Sequence, residues 1–294
     1  MRKKHARIKV VCTAIGLVAL ASLGLAASAS AKLAGEFTRF AQCPYTNAEV
    51  RRCIYSTTEG GTVVLGNKTV TITAPAVLQG GYGPVGEDEF ATKFFAAKNG
   101  ITLSKAPQVV PGGLLGIVPP EKSPALVKAL SKFFFENALT GVNSTLELAK
   151  EASAIRISEN HLAEENEIAL ELPVKIHLEN PFLGKSCFVG SSSAPIPFKL
   201  TTGTTADKKL KGKAGELELL EEGTILKLKT AELVDNTWAA PTANGCGGIL
   251  SFLVNPIINA QVGLPASSGK NSSILKNTIY ESPAGAVKLN DETH

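Results

Sequence analysis

Rings and sulfur are scarce in this 294-residue chain, which has one Trp, one Met, four Tyr and five Cys. Aliphatic side chains must therefore do most of the core packing, and the aromatic platforms that stack bases and commonly flank sugars have little material. Histidine is equally thin, with four in all, one of them the terminal His294. No C-x-x-C occurs, so the usual spacing of zinc and thioredoxin-type sites is missing. Past the first thirty residues no apolar run approaches the roughly 20 residues that cross a bilayer. Neither an internal repeat nor a strand–helix alternation is evident, which argues against solenoids and parallel α/β winding.

The first thirty residues carry the compartment signal. Arg2, Lys3, Lys4, Arg7 and Lys9 precede an apolar run from Val10 to Ala27, and Ala27-Ser28-Ala29-Ser30-Ala31 closes it. A cationic start, an apolar centre and a small-residue exit predict a secretory signal peptide over residues 1–31, with cleavage after Ala29 or Ala31 fitting equally well. The rival reading is an uncleaved anchor, since the run is about long enough to span when tilted. A clean exit without stop-transfer charges favours cleavage. Cys12 lies at the start of the apolar core, not just after it, which disfavours a lipoprotein anchor. Residues 32–294 are then expected to form a single β-rich exported domain, secreted or held in the extracytoplasmic cell envelope, with no transmembrane span left.

Losing the leader also changes the charge. Five of the 30 basic residues and none of the 26 acids lie in residues 1–31, so 25 bases face 26 acids, a net of −1. That excludes the basic footprint of a nucleic-acid binder. The one local basic cluster, Lys208 to Lys213, reads as a solvated loop.

Cys43, Cys53, Cys187 and Cys246 remain after Cys12 leaves with the leader. An even number in an oxidising space predicts two bridges. Three pairings exist. Proximity favours Cys43–Cys53, which leaves Cys187–Cys246.

Strand signals dominate the rest. Thr62–Leu65 and Thr69–Thr73 flank Gly66-Asn67 as a hairpin. Ile168, Leu170, Leu172, Val174, Ile176 and Leu178 alternate with polar residues, the mark of an antiparallel strand with one wet face; Pro173 on that face predicts an edge position or a bulge. Ile155 and Ile157 add a second hairpin across an acidic loop. Ile196, Phe198 and Leu200 alternate, as do Leu217 with Leu219 and Leu226 with Leu228. Ser123-Pro124 opens a helix whose apolar positions are Leu126, Val127, Leu130, Phe133 and Phe134, and Ser144–Glu151 suggests a second helical piece. Asn255-Pro256 marks a helix start or a tight turn, and the polar tail from Ser282 reads as loose. The fold predicted is mainly β (α+β), an antiparallel sandwich or open barrel with a helical insertion near residues 120–152.

Candidate chemistry is weak. Gly81-Tyr82-Gly83-Pro84-Val85-Gly86 matches G-x-G-x-x-G, but Pro84 and the acids Glu87-Asp88-Glu89 replace a helix start and would repel a pyrophosphate; a glycine-rich turn is the plainer reading. Gly190-Ser191-Ser192-Ser193-Ala194 approaches a nucleophile elbow, yet Pro195-Ile196-Pro197 follows in place of a helix. Glu159, Glu164, Glu165 and Glu167 cluster without calcium-loop spacing. No cofactor, catalytic or metal site is assigned. What stands out is apolar: Ala106–Pro120 holds four Pro and three Gly around Leu114, Leu115 and Ile117, beside a helix carrying Leu130 and Phe134. Together these could wall a site for a lipid or other apolar ligand, or dip into a lipid surface.

Several stretches carry a resemblance: Cys43-Pro44 to Cys53, Gly66–Val70, Leu78–Gly81, Asn180-Pro181-Phe182 to Cys187, Pro197–Gly203, and Asp235–Pro241 to Cys246. With these the mature chain resembles uncharacterised exported proteins of high-GC Gram-positive bacteria. The resemblance supports the leader and two bridges and implies no activity. The functional expectation is a non-enzymatic envelope or secreted protein that binds an apolar ligand or a partner. The alternative is an extracellular hydrolase acting through Ser191–Ser193 or a carboxylate pair.

Overall fold

The computed structural model describes residues 32–85, 88–116, 118–135, 139–158, 162 and 167–294, without the side chains of 88–91, 134 and 135. The leader expected at 1–31 lies outside them. Two antiparallel sheets face each other. The first runs β11 (Glu216–Leu220), β12 (Ile225–Asp235), β14 (Ser272–Pro283), β1 (Arg52–Leu65), β3 (Ala76–Val85) and β4 (Asp88–Ala96), with β2 (Lys68–Thr71) also on β1. The second runs β13 (Ala243–Asn244), β9 (Phe188–Val189), β8 (Leu170–Glu179), β6 (Val142–Leu148) and β5 (Gln108–Val110). The short β7 (Arg156–Ile157) and β10 (Ile196–Leu200) add to β8. This is a sandwich, not a closed barrel.

Hydrophobic alternation explains the strands. Along β8 the side chains alternate without exception, with Leu170, Leu172, Val174, Ile176 and Leu178 buried. β10 does the same with Ile196, Phe198 and Leu200. The β1–β2 hairpin turns at Gly66-Asn67, Leu65 opposite Lys68. Bridges join Cys43 to Cys53 and Cys187 to Cys246. Both Cys187 and Cys246 are fully buried beside Val189, and the first bridge sits in a second core with Phe37, Phe40 and Val50.

Five local expectations need correction. Residues 142–148 are a strand, β6, and helix in the 120–152 region is confined, among the described residues, to α1 (Ala125–Phe135) and one short turn at Ala152–Ala154. Ser144 three residues ahead of Glu147 mimics a capping box, but Leu146 pairs with Ile176 in a sheet that buries more. Pro173 stands in β8, the most connected strand of its sheet, opposite Pro197 of β10. Its carbonyl accepts the Ala149 N–H just past the end of β6, so its missing donor falls where no neighbouring strand needs it. The glycines at 80, 81 and 83 lie in strand β3, not a turn. A Cβ on Gly83 would overlap the Glu49 carbonyl, and one on Gly81 would press on Val50 and Cys43. The helix α2 (Ser251–Val262) begins before Asn255-Pro256 and contains Pro256. Asn255 is occupied as acceptor of the Cys246 N–H at 2.9 Å, not as a cap. Finally, the tail is a docked helix, α3 (Ala284–Thr293): Val287 is fully buried, and Asn290 accepts the Ala34 N–H at 2.9 Å.

Candidate functional site

The sheets do not close fully on each other. Two apolar cavities of about 80 Å³ each lie between them. In the first, Val63, Leu65 and Val70 face Leu146, Ile176 and Leu178. In the second, Ile54, Leu78 and Ile279 face Leu170, Leu172 and Phe198. Ile72, Ala76 and Leu146 line both and form the waist between them.

A bulge lets one strand serve both spaces. β1 turns Ile54, Ser56 and Thr58 into the second cavity and Val63 and Leu65 into the first. Even positions change to odd because the register with β14 shifts between Thr58 and Gly60, and one inserted residue exchanges the two faces of a strand. Gly61 takes φ +111°, and a Cβ there would overlap the Ile274 carbonyl. β12 uses the same device: its register with β14 shifts between Leu228 and Ala231. The space itself comes from small side chains at inward positions, Ala76 on β3 and Ser144 on β6.

The seams are tied. Thr201 and Val234 exchange backbone hydrogen bonds of 3.0 and 2.8 Å, joining β10 to β12. Thr92 Oγ1 donates to the Ile157 carbonyl at 2.6 Å, joining β4 to β7. The Gln108 amide accepts from Thr73 and Ala74 and donates to Ala74 and Ala106. At the remaining end, Lys68 lines the first cavity together with Val262 of α2. Lys68 Nζ and Gln261 Oε1 would lie 3.1 and 3.5 Å from a Cβ on Gly116. Burial holds the Lys68 ammonium below the ordinary lysine range, and no carboxylate among the described residues raises it.

No known family, curated protein or solved structure matches the chain.

The residues singled out in the sequence are distributed otherwise. Leu114 is half-buried against the core, Leu115 is 52% exposed and Leu130 is 47% exposed. Phe134 belongs to α1, its side chain outside the described set, and Ile117 lies outside the described residues. Among the described residues, Leu114, Leu115 and Leu130 line neither cavity; of the loop 106–120, Ala106, Gln108 and Val110 do. The apolar faces of α1 and α2 are open instead, with Leu126 and Phe252 each 70% exposed.

Among the described residues no hydrolase set is assembled. Ser191 Oγ contacts Ser193 Oγ at 3.0 Å and accepts the Ala194 N–H at 3.1 Å, which makes an exposed turn. His177 stacks on Phe188 across β8 and β9, its Nδ1 3.2 Å from Glu179 and 3.5 Å from Glu147. Burial alone would raise the Glu147 carboxyl, but the Lys105 hydrogen bond, with the charges of Lys105, Lys175 and His177, holds it below the ordinary range. This is an ion network on the outer face in which neither buried His177 ring nitrogen makes a hydrogen bond to a described residue. Glu159, Glu164, Glu165, His161 and Gly86 lie outside the described residues. Among the described residues no group of His, Cys, Asp or Glu is placed to hold a metal ion, and no helix is long and apolar enough to cross a membrane.

Sequence reading missed the strand-lined space and Lys68. The available signal was small: Ala76 and Ser144 at positions where period two demands a large apolar side chain.

Proposed function

We propose that this is an exported, non-enzymatic protein, secreted or held in the cell envelope, that carries an apolar ligand between its two sheets. The observation that carries the reading is the pair of apolar cavities between the sheets, whose linings share Ile72, Ala76 and Leu146. Well-packed interiors leave few voids larger than a water molecule, and apolar voids of this kind stay dry and take up hydrocarbon. Along β8 the second cavity takes Leu170 and Leu172 and the first takes Ile176 and Leu178, with Val174 lining neither; the two linings together span about 27 Å at the usual rise per residue. Narrow aliphatic spaces set end to end suit a linear chain better than a ring system. Two buried disulfides support maturation in an oxidising compartment, and the leader-like start at residues 1–31 supports export.

Native mass spectrometry of protein purified without delipidation tests this directly. Adducts in the mass range of single-chain lipids are expected, with uptake of dodecanol by the stripped protein. Ligand-free recovery from several preparations, together with no uptake of dodecanol, would overturn it.

A further inference from the structure

Four polar side chains line the first cavity: Lys68, Ser104, Gln108 and Ser144. Three are hydrogen-bonded within the protein. Gln108 makes the four amide bonds described above, Ser104 Oγ accepts the Val77 N–H at 2.8 Å, and Ser144 Oγ donates to the Gln108 carbonyl at 3.4 Å. Lys68 differs. It is half-buried, and neither a hydrogen bond nor an ion pair to another described residue holds its ammonium. A cation drawn partly out of water without a counter-charge carries an uncompensated desolvation cost. An acidic group placed beside it would offset that cost. A neutral group would not, and a second cation would add repulsion.

The position suits such a group. Lys68 follows the Gly66-Asn67 turn at the end of the cavity away from the waist. A side chain in place of Gly116 would crowd the Lys68 Nζ, since a Cβ there would lie 3.1 Å away. Lys68 lines the cavity and is half-buried; a lysine so placed lays its carbon stem on apolar surface and keeps its ammonium toward water, so a chain in the cavity would end against the charge.

We propose that Lys68 anchors the headgroup of the bound ligand, and that the ligand is a single-chain acidic amphiphile whose hydrocarbon occupies the cavities and whose carboxylate or phosphate monoester pairs with Nζ. The proposal rests on the apolar-carrier reading and adds the charge of the ligand to it.

Matched twelve-carbon probes separate the two ideas. Delipidated protein is titrated with dodecanoate, dodecyl phosphate and dodecanol, and with each after Lys68→Met and Lys68→Arg, circular dichroism confirming the fold. Wild-type protein is expected to bind at least one acid about tenfold more tightly than the alcohol, the order of a charge-assisted hydrogen bond. Lys68→Met should abolish that preference while dodecanol affinity stays within about twofold, and Lys68→Arg should keep it. The tighter of the two acids identifies the headgroup. Alcohol binding with no acid preference in wild type, or an acid preference that survives Lys68→Met, overturns the anchor and leaves the apolar carrier standing. Failure of all three probes to bind overturns both.

Discussion

Gly61 shows how one residue sets the interior. Its φ of +111° and the overlap a Cβ would make with the Ile274 carbonyl exclude any other residue without a backbone shift. The bulge beside it turns both halves of β1 inward. Gly61→Ala is therefore expected to destabilise the protein by about 2–3 kcal/mol in urea denaturation. It should also weaken dodecanol uptake, because Val63 and Leu65 lose their facing. A neutral result would mean that the bulge does not depend on this glycine. Asp207 offers a pH test. The Asn236 amide at 2.8 Å, the Lys209 N–H and the Thr205 hydroxyl hold its carboxyl well below the usual carboxylate range. A depressed folded-state pKa contributes stability that is complete above the unfolded value, near 3.9, and is lost as pH falls toward the folded one. The difference in urea midpoint between wild type and Asp207→Asn should hold steady from about pH 8 to 5.5 and narrow below pH 4.

Elements were legible where pattern and packing agree. β8 and β10 could be read residue by residue because every second side chain is buried by both flanking strands and the opposite sheet. β6 could not, since Ser144 occupies an inward position in place of an aliphatic residue and the wall of a cavity does not require one. α3 looked loose because its burial rests on few residues, Ala284 and Val287 chief among them, and the partners Phe37 and Phe40 lie some 250 positions away in sequence. The same distance between sequence and contact hid Lys68, whose neighbours Gly116 and Gln261 come from separate elements. The bridges were readable from count and spacing, and they differ in what they should contribute. Cys187–Cys246 spans 59 positions and Cys43–Cys53 spans 10. Loop-closure entropy then predicts losses of about 4 and about 3 kcal/mol for the paired Cys→Ser replacements. Urea denaturation of the two double variants checks the order. By contrast, Leu126→Gln in α1 and Phe252→Gln in α2 should each change stability by no more than about 0.5 kcal/mol, since both side chains already face water.

At the scale of the whole molecule, the two sheets, the tied seams and the paired bulges set two apolar cavities end to end, with a waist at Ile72, Ala76 and Leu146. If a single chain threads both halves, affinity should climb with chain length by about fourfold per methylene, the worth of one buried CH₂. The climb should continue past the length that fills the first cavity alone. Ala76→Leu narrows the waist without adding a polar atom. It is expected to stabilise the empty protein by about 0.5–1 kcal/mol by filling void. It should also leave short-chain alcohols bound nearly as before and make affinity level off at a shorter chain than in wild type. Isothermal titration across the eight- to sixteen-carbon alcohols reads that break point. An identical length profile in both proteins would mean that the two cavities act separately, each with its own occupant, and that the waist is a wall.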